Sequence, residues 1–317
     1  MKEIGGYFEL ELQTSKDKLF DKHAVYVNSG RNAFEYIIKS LPKVSKLWLP
    51  YFTCSSLQEP LHRLNLNVEY YSINDQLEIN NINTLCLGGD DYLLYTNYFG
   101  VKNSYVELLQ ARFSNHLIVD NSQALFSNPS SYCFYSPRKF VGIPDGGIAF
   151  SKFDYQVKEQ DKKSYERCSH LLKRYDFLAS EGYVDFKTNG LSLSHQELKI
   201  MSNLTKAMFE SIDFLSIKET RNRNFKHLHS SLQSSNSLLM DIDVIDGALV
   251  YPYLIEHDNL RQKLIDNKIY VATYWPNILK CKSEETEYKL AKYLLPLPID
   301  QRYTNVDIER ILSIILE

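Results

Sequence analysis

From residue 24 to about residue 150, short runs rich in β-branched and aromatic residues alternate with segments of helical character. Few folds accept that alternation. "AVYVNSG" is predicted as a strand ending in a turn, "RNAFEYIIKSL" as a helix, "KLWLPYF" as a strand and "CSSLQEPLHRLN" as a short helix interrupted by Pro60. "NVEYYSI", "DYLLYTNYFG", the helical "SYVELLQARF", then "HLIVDNSQ", "YCFYSP" and "GGIAFSK" continue the series. Strand, helix, strand in this order predicts an α/β fold with a mainly parallel sheet flanked by helices. Ligands in such sheets lie beyond the carboxyl ends of the strands. The polar punctuation falls there: Ser29-Gly30, Asn97 to Gly100, and Asp120 to Gln123.

Beyond residue 155 the chain becomes charged and helical in pattern. Leu198, Met201, Leu204 and Met208 recur near helical spacing as core residues, with Ser194 and Glu197 as a capping box. The serine-rich "HSSLQSSNS" marks a boundary or turn, and "DGALVYPYLI", "NLRQKLIDN", "LLPLPID" and a closing helix capped by Asn305 suggest a smaller α+β domain. With 317 residues there is length for two domains. We place a large domain at residues 1–205 and a small C-terminal one at 206–317.

A net charge of -3 and a pI near 6.3 give no basic footprint for nucleic acid. The N-terminus lacks the apolar core of a signal peptide, and no apolar run approaches the ~18 residues of a membrane span; the expectation is a cytoplasmic protein. Cys54, Cys86, Cys133, Cys168 and Cys281 include no C-x-x-C pair, so they are expected reduced and buried, with no disulfide framework and no metal site. The histidines are scattered, and His227 and His229 point to different faces of a predicted helix.

The chemistry-bearing residues follow an order. Ser29-Gly30 precedes a helix and could offer backbone N–H groups and a hydroxyl to a phosphate, although serine is also an ordinary helix cap. Asp120 ends an apolar strand, where a buried carboxylate needs a cationic or hydrogen-bonding partner; a protonated pyridine nitrogen is one. Lys139 stands in "YSPRKFVGIPDGG", ahead of Asp145, Gly146 and Gly147. A phosphate seat, a strand-end acid and a lysine in that order are what pyridoxal phosphate requires: the amine forms a Schiff base, the acid keeps the ring nitrogen protonated, and the helix end holds the phosphate.

On these residues the chain resembles the DegT/StrS-type sugar aminotransferases, fold-type I pyridoxal phosphate enzymes. Ser29-Gly30-Arg31 is similar to that family's Ser-Gly-Thr, Val119-Asp120-Asn121-Ser122-Gln123-Ala124 to its acid segment, and Lys139 with Asp145-Gly146-Gly147 to its Lys, five residues, Glu-Gly-Gly. "NYFG" and "LLPLPIDQRYTNVDIERI" resemble its strand-end and C-terminal segments. The resemblance implies Lys139 as the Schiff-base lysine and general base, Asp120 on the pyridine nitrogen, Gln123 near the ring hydroxyl, and a diglycine that permits close backbone packing. Relatives that dehydrate sugars carry histidine in place of the lysine. Phe134 stands where the family has a phosphate-contacting serine, with Ser136 two residues on as a substitute; Arg31 replaces the threonine and pairs with phosphate or reaches substrate. Cys54 follows Thr53 where an aromatic stacks on the ring, leaving Tyr51 and Phe52 as nearby candidates. Arg138 lowers the lysine's proton affinity, faces solvent, or binds substrate phosphate.

The resemblance implies an aminotransferase with pyridoxal 5'-phosphate as cofactor, glutamate as amino donor and a nucleotide-linked keto sugar as acceptor, making an amino sugar for a surface polysaccharide or glycosylated metabolite. It also implies a homodimer with the active site at the subunit interface. Two alternatives stand beside it: a non-catalytic or regulatory protein that keeps the fold, and an aminotransferase for a non-sugar carbonyl compound. Tyr183, Asn189 and residues 221–224 line the pocket or lie on loop and helix surface.

Overall fold

The computed structural model describes residues 4–20, 23–280 and 285–317; Cys281 lies outside them. Its main sheet takes the strands β1 (Val25–Val27), β2 (Lys46–Pro50), β3 (Val68–Tyr71), β4 (Asp91–Thr96), β5 (Leu117–Asp120), β6 (Cys133–Tyr135) and β7 (Gly147–Phe150) in the order β1-β7-β6-β5-β4-β2-β3. Pairs from β6 to β3 are parallel, whereas β7 runs antiparallel to both β6 and β1. One edge of the sheet therefore gathers the carboxyl ends of β1, β4, β5 and β6 and the first residue of β7.

Both sheet faces are covered, which is why strands such as "LIVD" and "GIAF" are apolar at almost every position and buried throughout. Leu94, Ile118, Phe134 and Ala149 face α1 (Gly30–Ser40), meeting Ala33, Phe34 and Ile37. Alternate residues Leu93, Tyr95, Val119, Tyr135 and Ile148 pack on the other face with Val106 and Leu109 of α3 (Asn103–Phe113). α2 (Gln58–Arg63) contains Pro60 without interruption, because proline is tolerated in a first turn, where its missing N–H has no intrahelical partner to lose.

After β7 come α4 (Ser169–Asp176), α5 (Tyr183–Ser192), α6 (Asn203–Glu210) and α7 (Phe214–Leu232). Then follow β8 (Tyr251–Leu254), α8 (Leu260–Asp266), α9 (Glu285–Tyr293), β9 (Leu294–Leu297) and α10 (Asn305–Leu316). β8 and β9 form an antiparallel pair, and with α7, α8 and α10 they enclose a separate core around Phe225, Leu228, Leu264, Leu297 and Ile308.

Several local expectations are corrected. Leu198 and Met201 precede α6, whose cap is Ser202, accepting from Thr205 N at 3.0 Å, so Ser194 and Glu197 form no capping box there. Residues 199–201 instead pair with the open edge of β1: Asn28 N donates to Lys199 O and Met201 N to Tyr26 O. Satisfying an edge strand outweighs weak helical spacing. α10 is capped by Thr304 in a reciprocal box with Asp307, which makes Asn305 its first residue. The serine tract begins inside α7. Among the described cysteines all four are free, but only Cys133 is buried; Cys86 is exposed.

Candidate active site

β6 delivers the chain into Ser136 and a single tight turn, Pro137–Lys139, in which Lys139 N donates to Ser136 O at 3.1 Å and Phe140 N to Pro137 O at 2.8 Å. Proline's fixed φ favours that turn. Lys139 Nζ donates to Ser122 Oγ at 3.0 Å, and Ser122 N donates to Asp120 Oδ1 at 2.8 Å. The lysine and the acid, carried by neighbouring parallel strands, are thus joined through one serine. Asp120 is 4% exposed; burial raises its carboxyl above the usual range, while the Lys139 charge and the Ser122 hydrogen bonds pull it back. Lys139 itself is exposed on this chain.

Gln123, fully buried, accepts from Phe99 N at 3.0 Å through Oε1. Its Nε2 is buried with no hydrogen-bond partner.

At the other end of the turn, α1 starts against β7. Ser29 caps the helix, its Oγ accepting from Asn32 N at 3.2 Å and donating to Asn32 Oδ1. Gly147 meets this corner so closely that a Cβ would stand 2.1 Å from Ser29 O, and a Cβ on Gly30 would stand 3.0 Å from Ser136 Cβ and Oγ. The diglycine thus packs against the start of α1. Ser136 lies on the same side of its strand as Phe134, two residues back, whose ring packs 5.5 Å from that of Phe34. A serine shifted by two positions keeps its face, and here it touches the helix start. The first N–H groups of α1, at Gly30 and Arg31, have no intrahelical acceptor by geometry.

Arg31 is placed differently from its expectation. Its guanidinium pairs with Glu59, which also binds Arg63 at 2.7 Å, and Arg63 in turn binds the buried Glu35 at 2.7 Å. Arg138 is half-buried. Burial lowers its proton affinity, nearby Asp145 raises it, and Arg31 and Arg167 lower it further. Its guanidinium carbon lies 6.0 Å from the centre of the Phe186 ring.

Asp145 has a partner no spacing announced. It is wholly buried and bound by Arg167 Nη1 at 2.7 Å and Thr205 Oγ1 at 2.6 Å, while the same Nη1 binds Asp161 at 2.7 Å. Phe52 is also enclosed, edge-on to Trp275 at 4.9 Å, so it offers a cofactor no free face. Tyr51, 38% exposed, stacks on Tyr70 at 5.2 Å. Cys54 is half-buried and accepts from Ser56 Oγ at 3.1 Å. Arg221 and Asn224 are buried rather than on a helix surface: Arg221 binds Ala248 O and Leu249 O, and Asn224 binds Ile299 O. Asn189 holds Pro144 O at 2.7 Å, and Tyr183 is exposed beside Phe186. Arg167, the Phe99 contact and the Ser122–Lys139 bond were missed because each joins residues distant in sequence.

No family model matches this chain, and no curated protein sequence does. Solved structures match it over nearly its full length. DesI, crystallised in the presence of its TDP-sugar product, is 14% identical with a TM-score of 0.66, covering 93% of this chain and 80% of that one. A DegT DnrJ EryC1 StrS aminotransferase from Brucella abortus is 13% identical with a TM-score of 0.61, covering 93% and 85%. NtdA from Bacillus subtilis, with bound cofactor PMP, is 13% identical with a TM-score of 0.63, covering 94% and 74%. What is shared at these identities is the backbone plan, and the chain accordingly has the fold-type I architecture of the DegT/StrS sugar aminotransferases.

Proposed function

We propose that this protein is a pyridoxal-phosphate-dependent aminotransferase that moves an amino group from an amino acid, glutamate, to a nucleotide-linked keto sugar. The observation that carries the reading is the Lys139–Ser122–Asp120 chain at the ends of β5 and β6. The fit to the cofactor is supported by the unpartnered Gln123 Nε2 and by a helix start that Gly30 and Gly147 let Ser136 and β7 approach closely. Bound there, pyridoxal phosphate supplies an aldehyde that exchanges amines and a ring that accepts electrons. Asp120 holds a proton at the ring nitrogen, made worthwhile by its own burial. Ser29, Gly30 and Ser136 bind the phosphate, the first helical N–H groups adding their dipole; Arg31, tied to Glu59, shapes this end rather than contributing a free cation. Lys139 would move the proton between the substrate carbon and the cofactor carbon that flank the transferred nitrogen, with Ser122 orienting its Nζ.

The sugar assignment draws on DesI, whose structure was obtained with a TDP-sugar product, and on the resemblance in the residues themselves. Arg138 is the cation nearest in sequence to Lys139 and the one we assign to a substrate phosphate. We divide the chain into a large domain at 1–205 and a small one at 206–317, a division supported by the separate C-terminal core whose first residue is Phe225. A homodimer is supported by exposed apolar side chains on the α4–α5 hairpin, among them Leu172, Tyr175, Leu178, Val184 and Leu191, more than a lone surface usually gathers.

Visible absorption tests the reading. With added pyridoxal phosphate, wild type should show a band near ~420 nm from the lysine linkage that is absent in Lys139→Ala and moves toward ~330 nm with glutamate. No band in wild type removes the cofactor role of Lys139. A band that glutamate leaves unmoved favours a non-catalytic holder of the fold.

A further inference from the structure

We propose that Phe99 is a positioning residue: its backbone N–H turns the Gln123 carboxamide so that the NH2 group alone faces the ring hydroxyl of bound pyridoxal phosphate. The proposal rests on the cofactor reading above.

Phe99 follows β4 and adopts φ 56°, ψ 5°, a left-handed conformation that a bulky side chain rarely takes. Gly100 continues it at φ 75°, and a Cβ there would stand 3.2 Å from Gln123 O. The two residues bend tightly around Gln123. The bend is held from outside: Phe99 O accepts from Leu249 N at 2.8 Å, and the wholly buried Phe99 ring packs edge-on to Tyr274 at 5.4 Å. Its N–H, pointed inward, reaches Gln123 Oε1 at 3.0 Å.

That contact decides which way the amide faces. An N–H can be met only by the oxygen, since the reversed amide would set donor against donor. The NH2 group must therefore face elsewhere, and there it is buried without a partner. A buried donor calls for an acceptor. In pyridoxal phosphate the ring nitrogen lies opposite the carbon that bears the aldehyde, and the hydroxyl and phosphate arms flank that carbon on opposite sides. With Asp120 at the nitrogen, Lys139 at the aldehyde and the helix start at the phosphate, the hydroxyl is the acceptor left over. Leu249 belongs to the segment that Arg221 also holds, so the C-terminal part of the chain sets the aim of a side chain in the cofactor site.

The test is a comparison of affinities, read by absorbance titration, for pyridoxal phosphate and for its analogue lacking the ring hydroxyl. Wild type should prefer the hydroxyl-bearing cofactor by roughly tenfold, the worth of one hydrogen bond, and Gln123→Met should abolish the preference. Replacing Phe99 by phenyllactate, which turns the amide into an ester and removes only the N–H, should also erase most of the preference while leaving affinity for the analogue unchanged. Equal losses for both ligands, or a preference that survives the ester, would overturn the role of Phe99. Should the ester chain fail to fold, Phe99→Gly keeps the N–H but deletes the ring that anchors the bend against Tyr274, so the N–H is no longer held on Gln123. It should lower the preference, and an unchanged preference overturns the proposal. A wild type that binds neither ligand removes the cofactor reading itself, whereas equal wild-type affinities leave the cofactor and sink only the inference.

Discussion

For Asp120, Ser122 hydrogen bonds and the Lys139 ammonium only partly offset burial. Because its proton affinity is raised in the folded chain, the cofactor-free protein gains stability from it at low pH, and that gain is lost as pH rises through the folded value. Asp120→Asn keeps the oxygen that accepts from Ser122 N and removes the buried charge. It should therefore stabilise the cofactor-free protein by about 1 kcal/mol near neutral pH, read by urea denaturation, while pyridoxal phosphate affinity falls. Unchanged stability would mean that the carboxylate is better solvated than its 4% exposure indicates. For wild type the sign reverses with cofactor: binding should tighten as pH rises through the Asp120 titration, because only the carboxylate can hold the protonated ring nitrogen. Arg167 makes the opposite case. Its removal leaves Asp145 and Asp161 buried without the cation that hydrogen-bonds both, and Arg167→Ala should cost ~3 kcal/mol or more, measured by the same unfolding curves.

At the level of elements, the corner between α1 and β7 has no slack. Gly147→Ala would place a methyl 2.1 Å from a main-chain oxygen, and neither a strand paired on both sides nor a capped helix can yield easily. A loss of about 3 kcal/mol is expected, with phosphate affinity falling in whatever fraction still folds; isothermal titration with inorganic phosphate separates the two. This corner also shows what was legible beforehand. Ser29-Gly30 and the diglycine could be found because a helix start and a bare backbone leave local signatures. Asp120 and Lys139 could be found because polar residues interrupt apolar strands at the ligand-binding edge. The partners of Asp145 could not: Arg167 lies 22 residues on and Thr205 60 residues on, and only tertiary folding joins them. Residues 198–201 misled for a related reason, since helical spacing says nothing of an unsatisfied strand edge elsewhere. Phe52 was singled out by its place in the chain, and its burial against Trp275 follows from packing that no local pattern records.

As a whole molecule, the chain of 37.0 kDa gathers a cluster of exposed apolar side chains on the hairpin next to the lysine turn, with Tyr175 at 93% and Leu178 at 70% exposure. Sedimentation should give twice the chain mass, and Tyr175→Asp combined with Leu178→Asp should shift it toward the single chain. A wild type that sediments as a monomer would remove the shared-site expectation. The sheet order has a further consequence, for the chain while it is being made. Among the described residues, β1 pairs with β7, Val25 opposite Ala149, and with Ile200. At the ~5–20 residues per second of translation, the serine that caps α1 waits on the order of ten seconds before its neighbours exist. A product broken off before Gly147 would carry the acid and the lysine yet have no finished seat for an anion. On the proposed reading, cofactor capture would thus discriminate between complete and incomplete chains, a vitamin-derived ligand doubling as an inspector of synthesis.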